Sequence, residues 1–153
     1  MNDTPQRIMG KCIALANEAS ETSGEVPIAA AIVHGGSGEI VSRSANRVER
    51  DGDPTAHAEM SAIRDAAQKL GQKFLSDYDL YVTLEPCAMC AQAISHARIR
   101  RLYFGAYDPK SGGVEHGARV FDHPQCHHRP EVIGGVMESE CSELLRAFFE
   151  GKR

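Results

Sequence analysis

Two short segments far apart in the chain must meet at one point, and this requirement restricts the fold more than any other feature. The first, Thr55-Ala-His-Ala-Glu59, contains His57; the second begins 26 residues after Glu59 and reads Glu85-Pro-Cys-Ala-Met-Cys90. His57, Cys87 and Cys90 are zinc-type ligands. A structural zinc site is usually closed by four protein ligands, whereas a catalytic one has three and keeps a position for water. Glu59 is too close to His57 in sequence to be an obvious fourth ligand, yet it could reach that water and shuttle its proton. Three ligands and one adjacent carboxylate imply a zinc enzyme, since the metal lowers the pKa of bound water from about 15.7 to 7.

Cys87 and Cys90 stand at i and i+3 in the first turn of an expected helix, so both sulfurs can face one point. A helix N-terminus and a metal both favour thiolate over thiol. Two plainer readings exist, a structural zinc knot and a Cys-x-x-Cys redox pair. The redox pair has no need of His-x-Glu upstream, and the knot wants a fourth ligand at a similar spacing. Cys126-His127-His128 is the candidate for that ligand or for a second metal, but no partner pair lies at a ligand-like spacing, so it reads as surface histidines. Cys12 and Cys141 fall on apolar faces of expected helices and read as small core residues.

With 153 residues, 42% hydrophobic and 25% charged, the chain is expected to form a single domain over residues 1–153. No internal repeat is visible. The start, Met1-Asn-Asp-Thr-Pro5, lacks a basic stretch followed by an apolar core, and no apolar run approaches the ~20 residues that span a bilayer. These features lead to an expected cytoplasmic protein without membrane contact, whose five cysteines stay reduced. The net charge of −4 does not suggest a nucleic-acid binder, and the clusters Arg98, Arg100, Arg101 and Lys152-Arg153 are small enough to be ordinary solvated surface.

The periodicity predicts a helix from the Thr4-Pro5 cap to about residue 21, with Ile8, Cys12, Leu15 and Ala19 on one face. A continuous apolar run over 28–33 reads as a strand covered on both faces, followed by a Gly-rich turn at 35–38 and a returning strand at 40–44. A polar loop covers 45–53. A second helix is expected from 55 or 56 to Leu70, with Ile63, Ala66, Ala67 and Leu70 inward and Gly71 ending it. Strand 80–84, a helix opening at Pro86 and strand 101–105 form a βαβ unit with parallel strands. Residues 108–130 are loop-rich, 132–136 reads as a fifth strand, and Cys141, Leu144, Leu145, Phe148 and Phe149 mark a final amphipathic helix. The expected fold class is α/β, a three-layer α/β/α arrangement around a mixed five-stranded sheet.

At these motifs the sequence resembles the cytidine-deaminase superfamily and, within it, the bacterial tRNA adenosine deaminases. The resemblance runs in order through Glu25-Val-Pro27, Asn46-Arg47, Asp53-Pro-Thr-Ala-His-Ala-Glu59 and Leu80-Tyr-Val-Thr-Leu-Glu-Pro-Cys87. It continues through Phe104-Gly-Ala106, Asp108, Lys110, His128-Arg129, Leu144-Leu145 and Phe148-Phe149, so it covers nearly the whole chain. It implies a cytidine-deaminase-like fold, one zinc per subunit, and a homodimer whose active sites border the subunit interface. It also implies hydrolytic conversion of adenosine to inosine at the wobble position of a transfer RNA, the arginine acceptor, with the anticodon arm as partner.

Carried over by position, His57, Cys87 and Cys90 hold zinc and Glu59 is the proton shuttle. Asn46 matches the residue that hydrogen-bonds the flipped base, beside the Ala58 backbone amide, and Ile28 matches the residue packing on the purine. Asp108, Lys110, Phe149 and Arg153 match positions that cradle the anticodon loop. The water oxygen would go to carbon 6 while Glu59 passes protons to the adjacent ring nitrogen and then to the departing amine.

Two departures bear on the substrate. Residues 28–31 read Ile-Ala-Ala-Ala where the family commonly has glycine second, which narrows a pocket wall, and Tyr107 and His127 replace arginine and asparagine of other members. Residues 53–59 also resemble guanine deaminases, so a deaminase of a free base or nucleoside, of guanine or cytosine type, is the nearer alternative. A non-catalytic, zinc-stabilised binding module is the more distant one.

Overall fold

The computed structural model describes residues 4–151. Its elements in chain order are α1 (Thr4–Ser23), β1 (Ala29–His34), β2 (Ile40–Ala45), α2 (Val48–Asp51), α3 (Ala58–Leu70), β3 (Tyr78–Leu84), α4 (Ala88–His96), β4 (Arg101–Ala106), β5 (Glu131–Ile133) and α5 (Glu138–Glu150). A 3₁₀ turn at Val120–Asp122 lies between β4 and β5.

The five strands form one sheet in the order β2-β1-β3-β4-β5. β1 runs antiparallel to β2 and β3, whereas β3, β4 and β5 are mutually parallel, as the β3–α4–β4 crossover requires. β1 is apolar without interruption because helices cover both faces of the sheet. Ala30 and Ile32 join the core beneath α3 and α4, while Ala29, Ala31 and Val33 join the core beneath α1 and α5. Alternate residues of β3 and β4 divide the same way, Leu80, Val82, Leu102 and Phe104 against Tyr81 and Tyr103. The expected three-layer α/β/α fold with a mixed five-stranded sheet is the one observed.

Local departures from the expected elements have identifiable causes. The polar stretch after β2 contains a single helical turn, α2, whose first amides are satisfied by the Glu25 carboxylate at 3.1 Å from Glu49 N and 2.7 Å from Arg50 N. α3 starts at Ala58, two or three residues later than expected, because 53–57 form their own tight turns. The Asp53 carboxylate accepts both the amide and the hydroxyl of Thr55 at 2.8 Å, and the His57 amide donates to the Thr55 carbonyl at 2.8 Å. The buried face of α3 is Ala58, Glu59, Ala62 and Ala66, leaving Ile63 and Leu70 at its margin. β5 is only three residues long, since Gly134 and Gly135, the latter at φ 81°, turn the chain away toward α5.

β3 and β4 end side by side, Leu84 paired with Ala106, and α4 starts immediately beyond β3. Ligands of open α/β sheets bind beyond the carboxyl ends of the strands, so the topology points to this edge. On the opposite layer α5 rests on β4 through Cys141. A methyl group on Gly105 would meet the Cys141 sulfur and come within 2.7 Å of the Thr83 carbonyl oxygen. Gly105→Ala is therefore expected to destabilise the fold by about 1–3 kcal/mol through overpacking. Urea denaturation should show a lower midpoint at unchanged slope; an unchanged midpoint would mean that α5 does not rest on β4 this tightly.

Candidate active site

His57 and Cys87 occupy equivalent positions, the N-caps of α3 and α4. Both have extended backbones, φ −71° and ψ 151° for His57, φ −70° and ψ 175° for Cys87. Neither side chain caps its own helix. Instead the two turn toward each other, and Cys90, in the first turn of α4, completes the group. His57 Nδ1 lies 3.6 Å from Cys87 Sγ and 3.5 Å from Cys90 Sγ.

Those distances test whether zinc fits. Zinc–nitrogen and zinc–sulfur bonds of about 2.05 and 2.3 Å, opened at a tetrahedral angle, set the two ligand atoms roughly 3.6 Å apart. All three ligand atoms lie within 4.8 Å of one another, and among the described residues no second group of three such side chains comes together. The thiols are also primed unequally. The Cys90 sulfur bonding to Cys87, together with His57, pulls the Cys87 thiol down to about 4, while Cys90 is pushed up by that same bond and by burial. A divalent cation between them favours thiolate at both.

Glu59 is 4% exposed, and burial raises its carboxyl to about 7. It faces a cavity of about 270 Å³ that is also lined by Ile28, Asn46, His57, Glu85 and Asp108. This is slightly below the ~300–1,000 Å³ typical of small-molecule pockets and suits one compact planar group. The cavity adjoins a larger one of about 560 Å³, with which it shares Val26, Leu84, Asp108 and Ser111. Lys110 and Phe149, the latter 53% exposed, line the larger one.

The structure thus brings His57, Glu59, Cys87, Asn46, Ile28 and Asp108 around one cavity, keeps Cys90 buried beside His57, and places Lys110 and Phe149 next door. Arg153 lies outside the described residues. The Ala58 amide lies beside Asn46, as expected, and donates to its Oδ1 at 2.9 Å. That bond fixes the Asn46 carboxamide and leaves its NH₂ end for the cavity.

Cys126-His127-His128 forms a loop anchor. His128 Nε2 donates to the Ile99 carbonyl at 2.6 Å, and the His128 carbonyl accepts from Ser95 Oγ at 2.8 Å and Cys126 Sγ at 3.1 Å. In the arginine cluster, Arg100 pairs with Asp79 through two bonds of 2.9 Å, Arg101 pairs with Glu131, and Arg98 covers the Phe74 ring. Sequence reasoning gave no role to Glu25 and Glu85, which are buried and line the cavity. The available signal was an acid abutting an apolar strand, Glu85 directly after β3.

A sequence profile of the cytidine and deoxycytidylate deaminase zinc-binding region matches residues 2–106. The chain belongs to this deaminase family. A tRNA-specific adenosine deaminase of Agrobacterium fabrum is 57% identical over 129 residues, covering 84% of this chain and 84% of that protein. A structure solved in work on A-to-I editing at the wobble position of transfer RNA matches with a TM-score of 0.87 at 52% identity, covering 91% of this chain and 99% of its own. A guanine deaminase of Nitrosomonas europaea matches with a TM-score of 0.81 at 25% identity, covering 94% of this chain and 84% of its own.

The deaminase is expected to bind one zinc per chain, and Cys90→Ala to lose it by metal analysis after dialysis. Glu59→Gln should keep the metal and lower turnover by about 10²–10⁴-fold, the usual worth of a positioned acid–base group. Ammonia release at the normal rate from that variant would remove Glu59 from the chemistry.

Proposed function

We propose that the chain is a tRNA adenosine deaminase that converts adenosine to inosine at the wobble position of an arginine-accepting transfer RNA, releasing ammonia. The observation that carries this reading is the pair of joined cavities. The inner one is sized for a single base against the metal ligands, and the outer one offers Lys110 and Phe149 to whatever the base is attached to. A free base needs no outer cavity. The 57% identity to a tRNA-specific adenosine deaminase supports the same substrate.

Zinc held by His57, Cys87 and Cys90 would supply a water activated at neutral pH. The chain's own residues do the rest. Glu59 accepts a proton from that water and delivers it to the ring nitrogen beside carbon 6 as the water oxygen bonds to that carbon. A second proton, from the oxygen now on carbon 6, passes through Glu59 to the departing amine as the carbon–nitrogen bond breaks, so that adenosine and water become inosine and ammonia. Asn46, held by the Ala58 amide, directs its NH₂ to the base, and Ile28 packs on the purine. Closure of the inner cavity around one base requires the nucleotide to leave the stack. The cost is low in an anticodon loop, whose bases are already unpaired.

Asp108, Lys110 and Phe149 then meet the flanking nucleotides, with Arg153 assigned the same duty. We take residues 1–153 as one catalytic domain, acting in the cytoplasm as a homodimer whose active sites border the interface. No helix among the described residues is long and apolar enough to cross a membrane.

The zinc-loaded protein should form inosine in an arginine anticodon stem-loop carrying a wobble adenosine and leave free guanine, cytosine and adenosine unchanged. Turnover confined to a free base would keep the zinc chemistry but reassign Asn46 and Ile28 to a small-molecule pocket. Lys110→Ala should weaken stem-loop binding for all loop sequences alike and reduce the salt slope by about one, the signature of one lost phosphate contact. An unchanged slope would take Lys110 off the backbone.

A further inference from the structure

Glu85 separates β3 from the metal ligand Cys87 and is 2% exposed, yet the chemistry above gives it no task. Its carboxylate gathers five donors. Oε1 accepts from the Asp108 amide at 3.0 Å and from His116 Nδ1 at 2.8 Å. Oε2 accepts from the amides of Val114, Glu115 and His116 at 3.1, 2.9 and 3.1 Å. The donors come from both ends of one loop, 108–116, which has no helix or strand of its own.

The same loop lies directly against the strand–helix junction. A methyl group on Gly112 would meet Glu85 Oε2 and come within 2.6 Å of the Asp108 carbonyl oxygen. The Gly113 amide donates to the Pro86 carbonyl at 2.8 Å. Outward, the loop presents Asp108 and Ser111 to both cavities and Lys110 to the outer one. A single buried anion therefore fastens an irregular segment whose far side is the cavity wall. Charge-assisted hydrogen bonds are about twice as strong as neutral ones, and an amide left unpaired here would carry its full desolvation cost.

We propose that Glu85 is a positioning residue that, with His116, holds the 108–116 loop in the shape needed to seat the nucleotides flanking the target base. This assignment rests on the polynucleotide reading above, because a free base would not reach the outer cavity. Glu85 acts on substrate seating through the loop, while the metal stays with His57, Cys87 and Cys90.

The test uses the zinc-loaded full chain, Glu85→Gln and His116→Ala, with anticodon stem-loop kinetics, metal analysis and backbone hydrogen exchange. His116→Ala removes one donor and leaves the carboxylate beside Pro86 intact, so it remains informative if Glu85→Gln folds poorly. It is expected to raise KM for the stem-loop by about tenfold, the worth of one charge-assisted bond, with kcat within about twofold and one zinc retained. In Glu85→Gln the amides of 108 and 114–116 should exchange at least about tenfold faster while β3 stays protected.

Faster exchange with KM unchanged would overturn the proposal, since loop order would not matter to substrate. Loss of zinc, or a fall in kcat at constant KM, would overturn it too, by assigning Glu85 to the metal site. A wild-type chain inactive on the stem-loop but active on a free base would instead sink the functional reading. The fastening role would then stand or fall on exchange alone, and unchanged protection in Glu85→Gln would overturn it.

Discussion

Everything at the active edge depends on bringing one imidazole nitrogen to 3.5–3.6 Å from two sulfurs that lie on a different helix. Local sequence cannot satisfy such a requirement, because His57 and Cys87 are 30 residues apart. The sheet satisfies it. β1, β3 and β4 lie side by side, β3 hands the chain straight into α4, and α3 packs on the same sheet face. Two helix starts then meet beyond the strand ends, each with its N-cap residue extended. An extended N-cap would ordinarily use its side chain on its own amides. Here both side chains are released from that duty and given to the metal.

Three buried glutamates surround the resulting cavity, and their surroundings divide the work among them. Burial raises both Glu59 and Glu85. For Glu59 it prevails and brings the carboxyl to about 7, where it can hold or release a proton at neutral pH. For Glu85, hydrogen bonds from the Asp108 amide, His116 and the Glu115 and Val114 amides overcome it, and the carboxyl falls below its ordinary range. An anion so engaged is a structural fixture. Glu25 is a third case, accepting the Glu49 and Arg50 amides and so holding α2 beside the cavity. On the proposed function, identical side chains thus serve as proton carrier, loop fastener and helix anchor according to how many donors each meets.

Much of this was legible in the sequence because the signals were local. The apolar run of β1, the Gly-rich turn after it and the amphipathic period of α5 lie where the pattern put them, and the Cys-x-x-Cys helix start carries the expected ligands. The features not legible there share a cause. α2 depends on an acid 24 residues earlier, and the 108–116 loop depends on an acid 23 residues before its first amide. Neither partner is marked by periodicity. Cys126-His127-His128 reads as surface histidines, and composition cannot show that one of them, His128, would bond a distant carbonyl, Ile99.

The charge distribution bears on how a chain of net charge −4 can act on a polyanion. Five arginines, Arg47, Arg100, Arg101, Arg119 and Arg146, are engaged with carboxylates of the same chain. Phosphate contacts position a nucleic acid, whereas contacts to the base specify it. The inner cavity suits a base that can be drawn out singly to the metal, and on the proposal above the fastened loop seats its neighbours. A duplex would have to give up stacking and pairing to meet that demand, and a free nucleoside would forgo every contact in the outer cavity. An unpaired, tightly turned loop loses least and gains both sets of contacts. On the proposed function, selectivity for such a loop follows from the inner cavity at the metal ligands and from the rim beside it.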